Sequence, residues 1–335
     1  MAKNVLYFPY INVPENEWLV QTLLYWEKVG SIVPAEYAFN PHKLSLFMGD
    51  LVNNELVTPI IPNEYICKIP FFEEAFLNLI DTNEMINRNK QKELSISNSQ
   101  RIHLEKMGEL SKELIQRKLA KESRYPWFYV EQYTADLFMA YLSSVLGKCD
   151  GISMDPITDK ITALTIFSQM PTHGIDISFH ELRFGALKKV LPTPIGENFN
   201  VKTLVDFKEN HKNLMNKFRR HIEKELITIC EISDEQLRER RYSLFIEEIT
   251  DERDEIISSL EQYWSKLRYG TISTVLPPAI TTSVGIASQN WDAVMLSVPV
   301  LFRAIGQAFK SEKAIFSDIL SNPIAYAALT QHVLG

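Results

Sequence analysis

The sequence predicts an α/β domain over residues 1–195 followed by a mainly α-helical domain over residues 196–335. Three observations carry this. A short apolar strand, a Trp-bearing helix and a second short strand follow one another before Ala35, which is a β-α-β pattern with its strands in a partly parallel sheet. Residues 200–270 carry two long helical stripes with one break, the mark of an antiparallel helical hairpin. Residues 279–309 are rich in Ala, Val, Ile, Ser and Gly and read as buried helices, with short helices over 315–334. With 335 residues, 45% hydrophobic and 23% charged, the chain has the composition of a globular protein with room for about two domains.

Val5-Leu-Tyr-Phe-Pro9 reads as a buried strand. Pro14, Glu15 and Glu17 then suit the first turn of a helix, where proline lacks nothing and acids meet the dipole. That helix is expected to run to Val29, with Leu19, Leu23 and Trp26 on one side, and to stop at Gly30. Ser31-Ile-Val-Pro34 is the second strand, with Val5–Phe8 paired beside Ile32–Val33. The turn after the first strand holds Pro9, Tyr10, Asn12 and Pro14 but no glycine. Neither G-x-G-x-x-G nor a Walker-type glycine loop occurs anywhere, so nucleotide binding of those two kinds is not expected. The aromatics Tyr7, Phe8, Tyr10, Trp18, Tyr25 and Trp26 read as core before they read as a pocket.

Leu6-Tyr-Phe-Pro-Tyr-Ile11, the helix with Trp18 and Tyr25-Trp26, and Ile32-Val-Pro34 together resemble the opening of a bacterial family of unknown function. Val190-Leu-Pro-Thr-Pro194 and Pro323-Ile-Ala-Tyr326 are similar to its later parts. The resemblance spans most of the chain, implies no known chemistry and carries over no site residue. What it implies is a setting among mobile genes and phage-defence loci.

Further along, helical patterns between Pro41 and Asp81 surround a strand at Thr58–Pro62. Residues 88–100 are polar and read as an exposed loop or the start of the next helix. Ile102–Leu119 reads as one amphipathic helix, Trp127–Val130 as a strand and Tyr133–Leu146 as a buried helix. Gly147–Asp159 is loop and strand edge, and Val190–Pro194 closes the first domain.

The first hairpin arm places Leu204, Phe207, Leu214, Phe218, Ile222, Leu226 and Ile229 on one stripe, with His211 filling its gap. The turn is expected between Glu231 and Asp234, and Ser233 with Gln236 fits a capping box. The second arm carries Leu237, Leu244, Phe245, Ile249, Ile256, Leu260, Trp264 and Leu267, and Gly270 is a plausible C′ residue. After Pro277-Pro278, residues 279–309 read as two buried helices. The alternative is a membrane-inserting hairpin, which Asp292, Pro299 and Arg303 make costly. Short helices over 315–334 complete the chain.

Net charge is −7, which argues against broad nucleic-acid binding. Cys67, Cys149 and Cys230 are odd in number, far apart and without a C-x-x-C pair, so the expected setting is reduced cytoplasm. Met1-Ala-Lys-Asn4 lacks the long apolar region that follows in a signal peptide. Membrane contact is not expected.

Candidate chemistry is sparse. His173, Asp176, His180 and Glu181 would bring three ligand types to one helical face, a set suited to Zn, Mn or Fe; in a strand only Asp176 and His180 would share a face. Asp150, Asp155 and Asp159 cluster near a strand end, where turn chemistry is the ordinary reading. Arg219, Arg220, Arg238 and Arg241 flank the hairpin tip and are candidate partner-binding residues, against the ordinary reading of solubilising charge. No G-x-S-x-G elbow is present, and no cysteine lies near a histidine. The sequence therefore points to a non-catalytic interaction or regulatory protein with a protein partner or a second copy of itself, and with no organic cofactor. One alternative is a metal-dependent, nuclease-like hydrolase in which His173, Asp176 and His180 join Asp155 or Asp159 around a divalent metal. The other is a membrane-active effector acting through residues 279–309.

Overall fold

A computed structural model describes residues 4–83, 86, 94–170, 177–192, 200–269 and 317–334. The apolar stretch 279–309, Gly270, His173 and Asp176 lie outside the described residues. The chain divides into two compact units. Met1–Glu15 and Trp26–Ile177 make the first, and Asn16–Tyr25 and Ser178–Gly335 make the second. Against the boundary read from sequence at residue 195, this division runs at Ile177 and gives residues 16–25 to the second unit.

Two strands open the chain, β1 (Asn4–Tyr7) and β2 (Lys28–Ile32), with helix α1 (Glu17–Tyr25) between them. They pair in parallel, Asn4 against Lys28 through Tyr7 against Ser31. The parallel β-α-β unit is thus as expected, but the helix ends four residues sooner than read and the strand starts earlier. Gly30 is no helix stop. It lies inside β2, where an added Cβ would sit 2.6 Å from Met154 Sδ and 3.1 Å from Leu6 Cδ1. Glycine is there because the sheet face has no room for a side chain.

After α2 (Ala35–Ala38) and α3 (Leu46–Asn53), β3 (Val57–Ile60) joins the far side of β2 in parallel. Pro59 is tolerated there because β3 is an edge strand with a neighbour on one side only. Helices α4 (Asn63–Ile66) and α5 (Phe72–Thr82) follow.

The stretch read as one helix over Ile102–Leu119 is the end of a strand, β4 (Ser99–His103), and two short helices, α6 (Leu104–Met107) and α7 (Leu110–Gln116), and a second strand, β5 (Ala120–Glu122), follows it. Gly108 is the reason: at φ +56°, ψ −132° it occupies backbone space that other residues avoid, and it breaks the run. Strand β6 (Trp127–Glu131) pairs antiparallel with both β4 and β5, Ile102 against Phe128 and Ala120 against Val130.

Helix α8 (Gln132–Gly147) runs through the core of this unit. Glu131 caps it, accepting from Tyr133 N at 3.2 Å and Thr134 N at 2.8 Å. The helix is buried nearly all round, and Phe138 meets Phe76 edge-on at 5.1 Å. Strand β7 (Asp155–Ile157) returns to pair in parallel with β1, and α9 (Ile161–Ser168) follows. The first sheet is therefore all parallel in the order β3-β2-β1-β7. Strand β1 is the point where the strand order reverses.

The second unit is helical among its described residues. Its elements are α1, α10 (Ile177–Val190), α11 (Val201–Cys230), α12 (Glu235–Tyr269) and α13 (Ala325–Leu334). Helices α11 and α12 form the expected hairpin, about 45 and 52 Å long at 1.5 Å per residue. Arg241 pairs with Glu225 at 3.2 Å, and the rings of His221 and Phe245 lie 6.3 Å apart, which fixes the antiparallel register. The turn falls at residues 231–234 as read, but the cap is one residue later: Asp234 Oδ1 accepts from Leu237 N at 2.8 Å. Met215, not Leu214, occupies the buried stripe, and His211 interrupts the helix at φ −116°, ψ 17°. In the second arm Phe245, Ile249, Ile256 and Leu260 are buried, whereas Leu237 and Leu244 are exposed.

A buried ionic clamp joins three of these helices. Arg183 donates to both carboxylate oxygens of Glu223 at 2.7 and 2.8 Å, and the Tyr25 hydroxyl donates to Glu223 at 2.9 Å. The short last helix is buried over its first part, and Ile324–Leu329 are 0% exposed. Tyr326 lies 5.5 Å from Phe207 and 5.8 Å from Phe218, and its hydroxyl donates to Leu24 O at 2.8 Å. Among the described residues no helix is long and apolar enough to cross a membrane.

Candidate functional site

In an open parallel sheet the crevice at the carboxyl ends of the strands, where the order reverses, is the place a ligand finds loops and no side-chain core. Here that place is the end of β1, and a cleft of about 380 Å³ lies there. One wall is the segment after β1, Pro9–Asn12. It is held by Ser31 Oγ donating to Ile11 O at 2.7 Å and by Ser45 N donating to Asn12 Oδ1 at 3.3 Å. The facing wall is β4, from Gln100 to His103, with Lys106 of α6. Trp127 of β6 and Met139 of α8 complete it.

Four of the side chains on these walls, Arg101, His103, Lys106 and Trp127, bring N–H donors. His103 is 2% exposed, and its Nδ1 accepts from Glu105 N at 3.2 Å, which starts α6. A neutral imidazole that accepts at Nδ1 carries its proton on Nε2. That Nε2–H is buried and has no partner. Lys106 is 3% exposed and makes no ion pair among the described residues. Burial alone pulls its ammonium down to about 7, so near neutrality it is about half charged. Burial also pushes the His103 imidazole below its ordinary value. Arg101 is exposed and lies 4.9 Å above the Trp127 ring. Gln100 accepts from Gln132 at 3.2 Å.

Among the described residues no Asp or Glu lines the cleft. The two acids whose charge reaches His103 are occupied elsewhere. Glu105 accepts from Ala35 N at 2.7 Å, and Glu36 pairs with Lys43 at 2.5 Å. The rings of Tyr37, His103 and Trp127 meet edge to face at 5.1–6.5 Å, which holds this wall rigid.

The residues singled out from sequence fall elsewhere. Asp155 is exposed at the start of β7. Asp159 is held by Tyr7 Oη, which donates to it at 3.0 Å, and by Lys160 Nζ at 3.0 Å. This acid and burial together raise the Tyr7 phenol well above its usual range. His180 belongs to the second unit, where it is 5% exposed against Phe184, ring centres 4.8 Å apart. No group of three metal-binding side chains occurs among the described residues. Arg219 is buried and donates to Asn216 at 3.1 Å, and Arg220 is exposed and donates to the Asn216 carbonyl. Arg238 donates to Ile232 O at 3.3 Å, and Arg241 is shared between Glu225 and Glu248.

Sequence reading missed Arg101, His103 and Lys106: the last two fell within one amphipathic helix over Ile102–Leu119, and Arg101 stood just before it. Gly108, in the middle of that supposed helix, was the available signal against it. Tyr10, read as core, is 43% exposed and lines the cleft. No family profile, curated protein or solved structure matches the chain.

Proposed function

We propose that the protein acts by binding and not by bond-making chemistry. In this reading the α/β unit holds a small ligand in the cleft at the end of β1, and the helical unit offers its hairpin to a protein partner. The observation that carries the first half is Lys106: an amine almost wholly buried, on the wall of a cleft at the sheet's reversal point, with no acid among the described lining residues. Such a group is a cost to the fold unless something enters the cleft to meet it. The second half is supported by Ile227, Leu237 and Leu244, which stand 45%, 56% and 47% exposed on arms whose other described large apolar residues are mostly buried.

The test of the cleft is a thermal-shift screen of the full chain against small-molecule classes, repeated on Met139→Trp, which fills the cleft from α8. The expected result is a class of compound that raises the wild-type midpoint and leaves the filled variant unmoved. Shifts of equal size in both proteins would remove the cleft as the site.

A further inference from the structure

The donors of the cleft define what they would receive. We infer that the cleft recognises a small dianion of the phosphate-monoester class, with Arg101, His103 Nε2–H and Lys106 as its three donors. This rests on the reading of the cleft as a ligand site. Three kinds of group point the same way. Arg101 brings a permanent positive charge from the rim and makes no ion pair with any described residue. His103 presents a buried N–H with nothing to accept it. Lys106 presents an amine that becomes a second positive charge once an anion shares its enclosure. The acceptors on the walls do not compete: Asn12 and Gln100 already use their side-chain oxygens on Ser45 N and Gln132. Two cations and a neutral N–H match a doubly charged, multiply accepting group better than a carboxylate's single charge. The volume exceeds what a bare phosphate fills, and Trp127 and Tyr10 leave apolar wall for the group that bears it.

Proton uptake is a consequence. The titratable and charged groups lining the cleft are Tyr10, Arg101, His103 and Lys106, with Glu105 on the same short helix turned to Ala35 N. A dianion beside Lys106 favours its charged form, so binding draws a proton onto the amine. With the free amine near 7, affinity should fall about fivefold between pH 7 and pH 8, where a phosphate monoester is already doubly ionised.

The experiment is calorimetric titration of the full chain with phenyl phosphate, benzoate and benzyl alcohol, at pH 7 and pH 8. Wild type, Lys106→Met and Arg101→Gln are compared, each first shown to melt cooperatively. Phenyl phosphate is expected to bind at least tenfold more tightly than benzoate, with the fivefold pH effect. Arg101→Gln, at an exposed position that folding tolerates, should weaken it about tenfold and keep the pH effect, whereas Lys106→Met should abolish that effect. Tight binding of benzyl alcohol or benzoate with no preference for phenyl phosphate would overturn the dianion proposal and leave the ligand cleft standing. Phenyl phosphate binding that neither variant weakens would overturn the proposal by placing the anion elsewhere. Absence of binding by all three probes would overturn both.

Discussion

Two buried imidazoles carry their protons on opposite nitrogens, each for a local reason. His103 Nδ1 accepts from the Glu105 amide, so its proton sits on Nε2. His211 Nδ1 lies 2.9 Å from Phe207 O, and a carbonyl only accepts, so there the proton sits on Nδ1. Its ring stacks on Phe207 at 4.5 Å, and its Nε2 is buried with nothing to bind. Charging either ring would bury an uncompensated cation, and burial lowers both imidazoles below their ordinary value. The sign follows from linkage. The unfolded chain binds these protons more readily, so the stability they confer is complete above the unfolded value of about 6.5 and drains away as pH falls toward the lower folded one. Urea midpoints between pH 8 and pH 5 should therefore fall less steeply for His211→Gln than for wild type. Equal slopes would show that His211 is not buried neutral. Gly30 is a second case in which one atom decides. Gly30→Ala puts a methyl against Met154 Sδ and should cost about 1–3 kcal/mol in urea unfolding. In a Met154→Ala background the same substitution should cost measurably less, since the obstructing sulfur is gone.

The hairpin shows how much an element's own residues declare and where they stop. Stripe residues from Leu204 to Ile229 repeat at threes and fours over many turns, and a signal of that length leaves no competing period. Element type and turn position were legible for that reason. The cap was not resolved to the residue, because Ser233 and Asp234 are both good caps and the choice between them depends on where the chain leaves the first arm. Asp234→Ala should lower stability by about 1 kcal/mol and Ser233→Ala by much less, read from denaturant midpoints. Comparable losses would return the cap to Ser233. Shorter elements declare less. The residues from Ile102 to Leu119 satisfy a helical stripe, yet they fold as a strand end and two short helices, because Ile102 finds its partner Phe128 far along the chain. The candidate site was illegible for the same cause. Its walls come from residues 9–12, 100–106, 127 and 139, and no local period brings these together.

At the scale of the whole chain, the second unit is discontinuous. It takes residues 16–25 from between two strands of the first unit and completes itself with residues beyond 177. Those ten residues supply Tyr25 to the Arg183–Glu223 clamp and the Leu24 carbonyl to Tyr326. A fragment comprising residues 178–335 should therefore lack cooperative unfolding and sharp near-UV dichroism, and a peptide of residues 14–27 added in trans should restore part of both. A fragment that melts cooperatively by itself would show that α1 decorates the unit without completing it. The parallel strand order was legible from the β-α-β pattern, but membership of α1 in the other unit was not, since a helix's apolar face does not name the surface it will meet.

The hydrogen bond from Tyr326 to Leu24 closes a loop of 302 residues. On the ribosome the first partner emerges long before the second. At roughly 5–20 residues per second α1 waits roughly 15–60 s for the last helix, and less long for α11, whose Phe218 and Glu223 meet Tyr25. Until α11 emerges, Leu19, Leu23 and Leu24, which end at 0% exposure, are apolar surface on a nascent chain.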